Sequence, residues 1–139
     1  MLRSSVLLQV QGDYKRASDF MEKAAIISEK NYGPDHQITV DYYFDLAGIL
    51  QDLGDYEGAQ ILMKKVIKSN EKNFGTEHLN TARSYFCLAV VLLDLKQYPE
   101  AKTLLSKALS ISRAKLNADD SFIQTIIAHL HEIEKYQSS

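Results

Sequence analysis

In "NYGPDHQ", Asn31 to Gln37, an acid and an imidazole stand side by side behind a glycine and a proline. Asp35-His36 in a tight corner is the kind of pair from which a general base or half a metal site is built. A second pair, Glu77-His78, lies in "NFGTEHL", and His129 and His131 lie near the C-terminal end. For chemistry these groups would have to converge. His129 and His131 are two apart in a helical pattern, which turns their side chains about 200° from each other, so they cannot hold one ion together. Asp35-His36 and Glu77-His78 are separated by 42 residues, and that step recurs along the chain.

Gly12-Asp13-Tyr14 returns after 42 residues as Gly54-Asp55-Tyr56 and again, more loosely, as Lys96-Gln97-Tyr98. Ala17, Ala59 and Ala101 keep the same step, as do Lys23, Lys65 and Lys107, and Leu46-Ala47 returns as Leu88-Ala89. "YGPDH" reappears as "FGTEH" and then decays to "LNADD". The opening "MLRSSVLLQV" has the look of a weak transit peptide. It falls into register instead, because Leu7, Leu8, Gln9 and Gly12 precede Ile49, Leu50, Gln51 and Gly54 by 42. The first unit therefore reads as the tail of a helix followed by its partner.

Within a unit, apolar residues fall at helical spacing: Tyr56, Ala59, Met63, Val66 and Ile67 in one segment, and Val40, Tyr43, Leu46, Ala47, Leu50 and Leu53 in the one before it. Each unit is thus two antiparallel helices. Gly54 is available for the left-handed residue that ends the first helix, and Asp55 for the cap of the second. Gly33 and Gly75 do the same between units, followed by Asp35 or Thr76 as the cap-region residue, with Pro34 stopping the helix before it. His36 and His78 then sit at equivalent helix starts, as parts of a joint. No stretch alternates apolar and polar residues as a strand does. Two helices cannot bury their shared face alone, so the units must stack.

The pattern Leu46-Ala47, Leu50, Gly54-Asp55-Tyr56, Ala59 and Val66-Ile67 resembles the tetratricopeptide repeat. A 42-residue unit with a "GPDH" or "GTEH" joint is similar to the subclass found in kinesin light chains. The resemblance implies an all-α, right-handed superhelical solenoid of antiparallel helix pairs. Its parts would be a partial first repeat over 1–33, repeats over 34–75 and 76–117, and a C-terminal capping helix over 118–139. In that last segment Ile123, Ile126, Ile127, Leu130 and Ile133 form a stripe, while His131, Glu134 and Gln137 are polar where a further helix would pack. Two departures from the family matter. The paired asparagines of kinesin light chains are here Phe44-Asp45 and Phe86-Cys87. The Lys/Asn clamp for a C-terminal carboxylate is replaced by Asp41, Phe44, Gly48, Arg83, Phe86 and Val90.

Charge and composition narrow the partners. The chain has 16 basic and 18 acidic residues spread along its length, without the basic stripe that nucleic acid requires. No apolar run approaches the roughly 18 residues of a membrane span. One cysteine, Cys87, rules out an internal disulfide and fits a reducing, cytoplasmic compartment as a buried or half-buried hydrophobe. Pairs such as Glu22-Lys23 and Glu71-Lys72 read as solvated helix faces. Gly48, Gly54 and Gly58 follow no strand and make no phosphate loop. No nucleophile, base and oxyanion donor can be assembled, and neither a cofactor nor a metal is expected, so the reading is of a non-enzyme.

The function expected of such an array is a protein-interaction scaffold, with a partner peptide or helix lying in the concave groove formed by the first helices. That wall presents Asp41, Phe44, Asp45, Gln51 and Asp52 from one unit and Arg83, Phe86, Val90, Leu93 and Asp94 from the next. Two aromatic anchors with acidic neighbours suit a partner with apolar side chains flanked by Lys or Arg. The alternative for Phe44 and Phe86 is packing between neighbouring first helices. A second function class is structural: a segment that forms a homodimer through its N-terminal end, or a fragment of a larger multi-repeat adaptor.

Overall fold

The computed structural model describes the backbone of residues 2–137 and the side chains of residues 12–136. It contains α1 (Leu2–Tyr32), α2 (Gln37–Asp52), α3 (Tyr56–Phe74), α4 (Leu79–Asp94), α5 (Tyr98–Lys115) and α6 (Ser121–Gln137). No strand occurs among the described residues. Helix starts repeat the sequence step: α2, α4 and α6 begin 42 residues apart, as do α3 and α5.

The punctuation follows from the glycines. Gly33 at φ +88° and Gly75 at φ +87° take the left-handed conformation, and their N–H groups close the last turns of α1 and α3 on Glu29 and Glu71 carbonyls, each at 2.9 Å. Inside the units, Gly54 at φ +84° donates to Gln51 O at 3.0 Å while Asp55 N donates to Leu50 O at 2.8 Å. This pair of bonds is the Schellman closure of α2. The same closure ends α4 without a glycine, with Lys96 at φ +60° and bonds of 3.0 and 2.9 Å to Leu93 and Leu92. Asp55 then caps α3, its carboxylate accepting the Gly58 N–H at 3.0 Å.

The first copy of this turn is not made. α1 is one helix of 31 residues that runs through Gly12-Asp13-Tyr14, where a break after a half-helix is expected from the register. The residue three along explains the different use of the aspartate. Where Gly58 follows Asp55, Arg16 follows Asp13, and its guanidinium takes the Asp13 carboxylate at 3.1 Å on the solvent side. A glycine inside a helix costs only about 1 kcal/mol, so Gly12 does not stop it. The side chains of Val6, Leu7, Leu8, Gln9 and Val10, and that of Gln137, lie outside the described residues.

The chain forms two compact units, Met1–Ser69 and Asn70–Ser139. In the first, α1 packs on α2, and Ala25, Val40, Tyr43, Leu46, Ala47, Ala59, Met63 and Val66 are buried. In the second, α5 packs on both α4 and α6, sealing Ala82, Leu88, Ala89, Leu92, Ala101, Leu105 and Ala108. Of the repeated alanines, Ala59, Ala89 and Ala101 are at 0 % exposure and Ala47 is buried, while Ala17 is half-buried. Along α6, Ile123, Ile126 and Ile133 are buried and Ile127 and Leu130 half-buried, while His131 and Glu134 are exposed.

Candidate functional site

The histidines are caps. His36 Nδ1 accepts the Ile38 N–H at 3.2 Å and His78 Nδ1 accepts the Asn80 N–H at 3.0 Å. An acceptor Nδ1 leaves the ring proton on Nε2. Each ring lies against the aromatic that ends the preceding helix, His36 on Tyr32 at 4.9 Å and His78 on Phe74 at 4.7 Å between centroids. The capping residue is therefore the histidine, one position after Asp35 and two after Thr76. Asp35 serves the joint differently: its carboxylate accepts from the Ser69 hydroxyl at 2.8 Å. Across the chain's C-terminal end, His129 stands edge-on to Phe86 with centroids 5.2 Å apart. Among the described residues, no three His, Cys, Asp or Glu side chains gather as a metal site.

A repeated device went unread in the sequence. The Tyr43 hydroxyl donates to the Glu29 carboxylate, and Lys65 Nζ lies 5.3 Å from the Tyr43 ring centroid. One unit on, Tyr85 donates to Glu71 at 2.6 Å with Lys107 Nζ 5.8 Å from its ring. Glu71 is thus half-buried and engaged, which corrects its reading as a solvated face. Burial, and then the adjacent carboxylate, push the Tyr85 phenol up to about 12 and raise Tyr43 in the same way. The signal was available, since Lys65 and Lys107 share the repeat step and Tyr43/Tyr85 and Glu29/Glu71 do too. Its partners lie on different helices, so helical periodicity within one segment could not link them.

Cys87 is half-buried, and burial pushes its thiol up to about 11. A thiol held protonated is a poor nucleophile.

The residues expected to form a partner wall divide by unit. On α2, Asp41, Phe44, Asp45 and Asp52 are exposed and Gln51 half-buried. Asp41, Phe44, Asp45 and Asp52 are spaced to share one side of the helix with Gly48. A Cβ built on Gly48 meets nothing within 4 Å. Phe44 keeps 42 % of its surface in solvent. On α4, Arg83 and Asp94 are exposed while Phe86, Val90 and Leu93 are half-buried. The Phe86 ring meets Phe122 edge-on at 5.5 Å as well as His129, both on α6. α6 thus reaches the side of α4 on which Phe86 stands.

Two clefts flank these helices. One, of about 360 Å³, runs between α1 and α3 over Leu46 and Leu50, with Ile26, Ile61 and Lys65 on its sides. The other, of about 250 Å³, is lined by Glu71, Glu77, Tyr85 and Lys107. Among the described residues no helix is long and apolar enough to cross a membrane.

The tetratricopeptide repeat family model matches residues 1–72 and, overlapping, 43–114. No curated protein matches the chain in sequence. Among solved structures, BtubC (BKLC) from P. vanneervenii is similar with a TM-score of 0.84 at 19 % identity, over 91 % of this chain and 51 % of that one. The nearly identical TPR-like repeats assigned to a Podosopora anserina kinesin light chain give a TM-score of 0.84 at 22 % identity, over 99 % of this chain and 67 % of theirs. A single-substitution variant of those repeats gives 0.83 at 22 % identity, over 96 % and 65 %. The chain therefore spans about half the length of the first neighbour and about two thirds of the others. The two matched stretches overlap as successive repeats must, and the helix starts keep the 42-residue step: the chain belongs to the tetratricopeptide repeat family.

Proposed function

We propose that the chain binds a partner peptide or helix along the first helices of its repeats, beginning on the α2 surface of Asp41, Phe44, Asp45 and Asp52. Tetratricopeptide repeats indicate a protein–protein interaction scaffold, without catalysis of its own. The supporting observation is the α2 side itself: an exposed aromatic, three exposed carboxylates, and at Gly48 open room for a partner's backbone to come close. Such a surface selects apolar side chains flanked by Lys or Arg. Gln51 stands at the end of the α2 surface, and on α4 Arg83, Val90, Leu93 and Asp94 are proposed as partner-binding residues of that repeat. Phe86 contributes by holding α6 in place. The repeats are proposed to divide as 1–33, 34–75, 76–117 and a capping segment over 118–139, and the setting is a reducing, cytoplasmic one.

The test is fluorescence anisotropy with an extended peptide of alternating Leu and Lys, against the same peptide with Glu for Lys. The Lys peptide binds and the Glu peptide does not. Gly48→Gln fills the open position without weakening α2, since glycine is the poorer helix former by about 1 kcal/mol. Binding that survives Gly48→Gln and Phe44→Ala, or equal binding of both peptides, rejects this surface.

A second reading is self-assembly through α1. It is favoured by one observation: Ala17, Met21 and Ala24 are half-buried, whereas their counterparts in later repeats are sealed.

A further inference from the structure

The cleft of about 360 Å³ between α1 and α3 lies wholly within the first compact unit. Its walls are two helical stripes: Ser18, Glu22 and Ile26 at four-residue steps on α1, and Gly58, Ile61 and Lys65 at steps of three and four on α3. The floor is packed, with Leu46 6 % exposed and Leu50 half-buried beside it. The walls are not. Ile26 keeps 59 % and Ile61 61 % of its surface in solvent.

The repeat does not demand isoleucine at either place. One 42-residue step on, the same register positions hold Lys68 and Thr103, and both are exposed. An isolated exposed apolar side chain needs no account, but two of them on opposite walls of one apolar cleft mark a contact surface. The charges at this cleft also have a sign. Glu22 and Asp55 are exposed, whereas the ammonium of Lys65 is drawn to the Tyr43 ring, 5.3 Å from its centroid, beside the carboxylate of Glu29. Two carboxylates therefore face whatever enters.

The walls also select the shape of the occupant. Helices α1 and α3 satisfy their own backbone groups and offer no edge to pair with, so an extended segment would bury N–H and C=O groups against them without partners. A helix brings its backbone hydrogen bonds with it. Ser18 to Ile26 spans about 12 Å of α1 and Gly58 to Lys65 about 10 Å of α3, which is two turns of a third helix laid as a ridge into the groove between them.

We infer that this cleft is a second docking site, distinct from the α2 surface, for a helix of a partner protein that presents apolar side chains over two turns with Lys or Arg flanking them. Its apolar ridge covers Ile26, Ile61 and Leu50, and its cations meet Glu22 and Asp55.

The experiment uses the full chain carrying Phe44→Ala, which silences the α2 surface. The probe is a lactam-stapled, alanine-based helical peptide with Leu at i, i+4 and i+7 and Lys beside them, followed by fluorescence anisotropy. The peptide binds. Ile26→Lys together with Ile61→Thr, the residues that the next repeat carries in these places, weakens it by about tenfold or more at an unchanged helical circular dichroism spectrum. Glu22→Lys, again the next repeat's residue, weakens the Lys peptide and strengthens the same peptide made with Glu, an exchange of preference that lost stability cannot imitate. Absence of binding, or binding indifferent to Ile26→Lys with Ile61→Thr, overturns the site. Equal binding of an unstapled version with a central proline overturns the helical occupant. Self-association of the chain that Ile26→Lys abolishes gives the cleft to a second copy and overturns the foreign partner.

Discussion

The hydroxyls of Ser28 and Thr39 meet at 2.7 Å in the buried seam between α1 and α2. One repeat on, the pair has become Asn70 and Thr81, each with its own partner: Asn70 donates to Asn80 O at 3.3 Å and Thr81 to Gly75 O at 2.7 Å. In the last repeat the positions hold Ser112 and Ile123, so the serine survives without its threonine. The Ser112 hydroxyl is buried with no hydrogen-bond partner. An orphaned buried hydroxyl costs about 1–3 kcal/mol, and alanine is the better helix former. Ser112→Ala is therefore expected to stabilise the protein by about 1–2 kcal/mol. Ser28→Ala, the same substitution in an intact pair, is expected to destabilise it by about 1 kcal/mol. Urea unfolding of both variants checks the opposite signs, and a loss of stability in Ser112→Ala rejects the account.

Lys96 occupies the left-handed position that Gly54 fills one repeat earlier, with the same two closing hydrogen bonds. A side chain there is strained by about 1 kcal/mol or more. Lys96→Gly is expected to gain about 0.5–1 kcal/mol, after the entropy that glycine adds to the unfolded chain. The converse, Gly54→Ala, is expected to lose about 1–2 kcal/mol. Thermal melts of the two variants moving in the same direction would contradict this.

The turns, the joints and the buried stripes were legible in the sequence because each rests on local chemistry repeated at a fixed step. The 42-residue echo of Gly33 and Gly75 marks the joints. What escaped depended on residues brought from other helices. Nothing in Phe86 and its neighbours on α4 shows that Phe122 and His129 meet it from α6. Nothing in "GDY" distinguishes Asp13 from Asp55, until the residue three along is seen to be an arginine in one case and a glycine in the other. The Glu–Tyr–Lys contacts were legible as separate repeats of single letters, and only packing joins them.

His78 caps α4 through Nδ1 and also covers Phe74. The two roles separate by substitution. Asparagine caps as well as any residue but has no ring, so His78→Asn is expected to cost less than about 1 kcal/mol, the worth of one aromatic contact. His78→Ala loses both and is expected to cost about 1–2 kcal/mol. Equal losses in guanidinium unfolding would mean that the cap contributes nothing.

The Tyr85 phenol is pushed up to about 12 by burial and by Glu71. Because the folded state favours the protonated phenol relative to an unfolded tyrosine near 10, its contribution is complete below about pH 10. It is lost as pH rises from there towards 12. Wild type should therefore lose stability faster over that interval than Tyr85→Phe, in which this phenol is gone. Chemical unfolding at a series of alkaline pH values measures the difference between the two. Parallel curves would show that Tyr85 titrates alike in both states.

Phe44 and Phe86 occupy the same register position and should respond in opposite ways to truncation. Phe86 is half-buried and edge-on to two rings of α6, so Phe86→Ala removes both aromatic contacts and opens a gap beneath that helix. A loss of about 2–4 kcal/mol is expected, towards the lower part of the range for a fully buried phenylalanine because this one is only partly enclosed. Hydrogen exchange should show the loosening first in α6, whose attachment to α4 passes through Phe122 and His129. Phe44 keeps 42 % of its surface in solvent, and its truncation should cost about 1 kcal/mol or less. In the peptide-binding assay the order reverses: Phe44→Ala abolishes binding of the Lys peptide at nearly unchanged stability. A Phe44→Ala protein as unstable as Phe86→Ala would place both rings in the core and remove the aromatic anchor from the proposed surface.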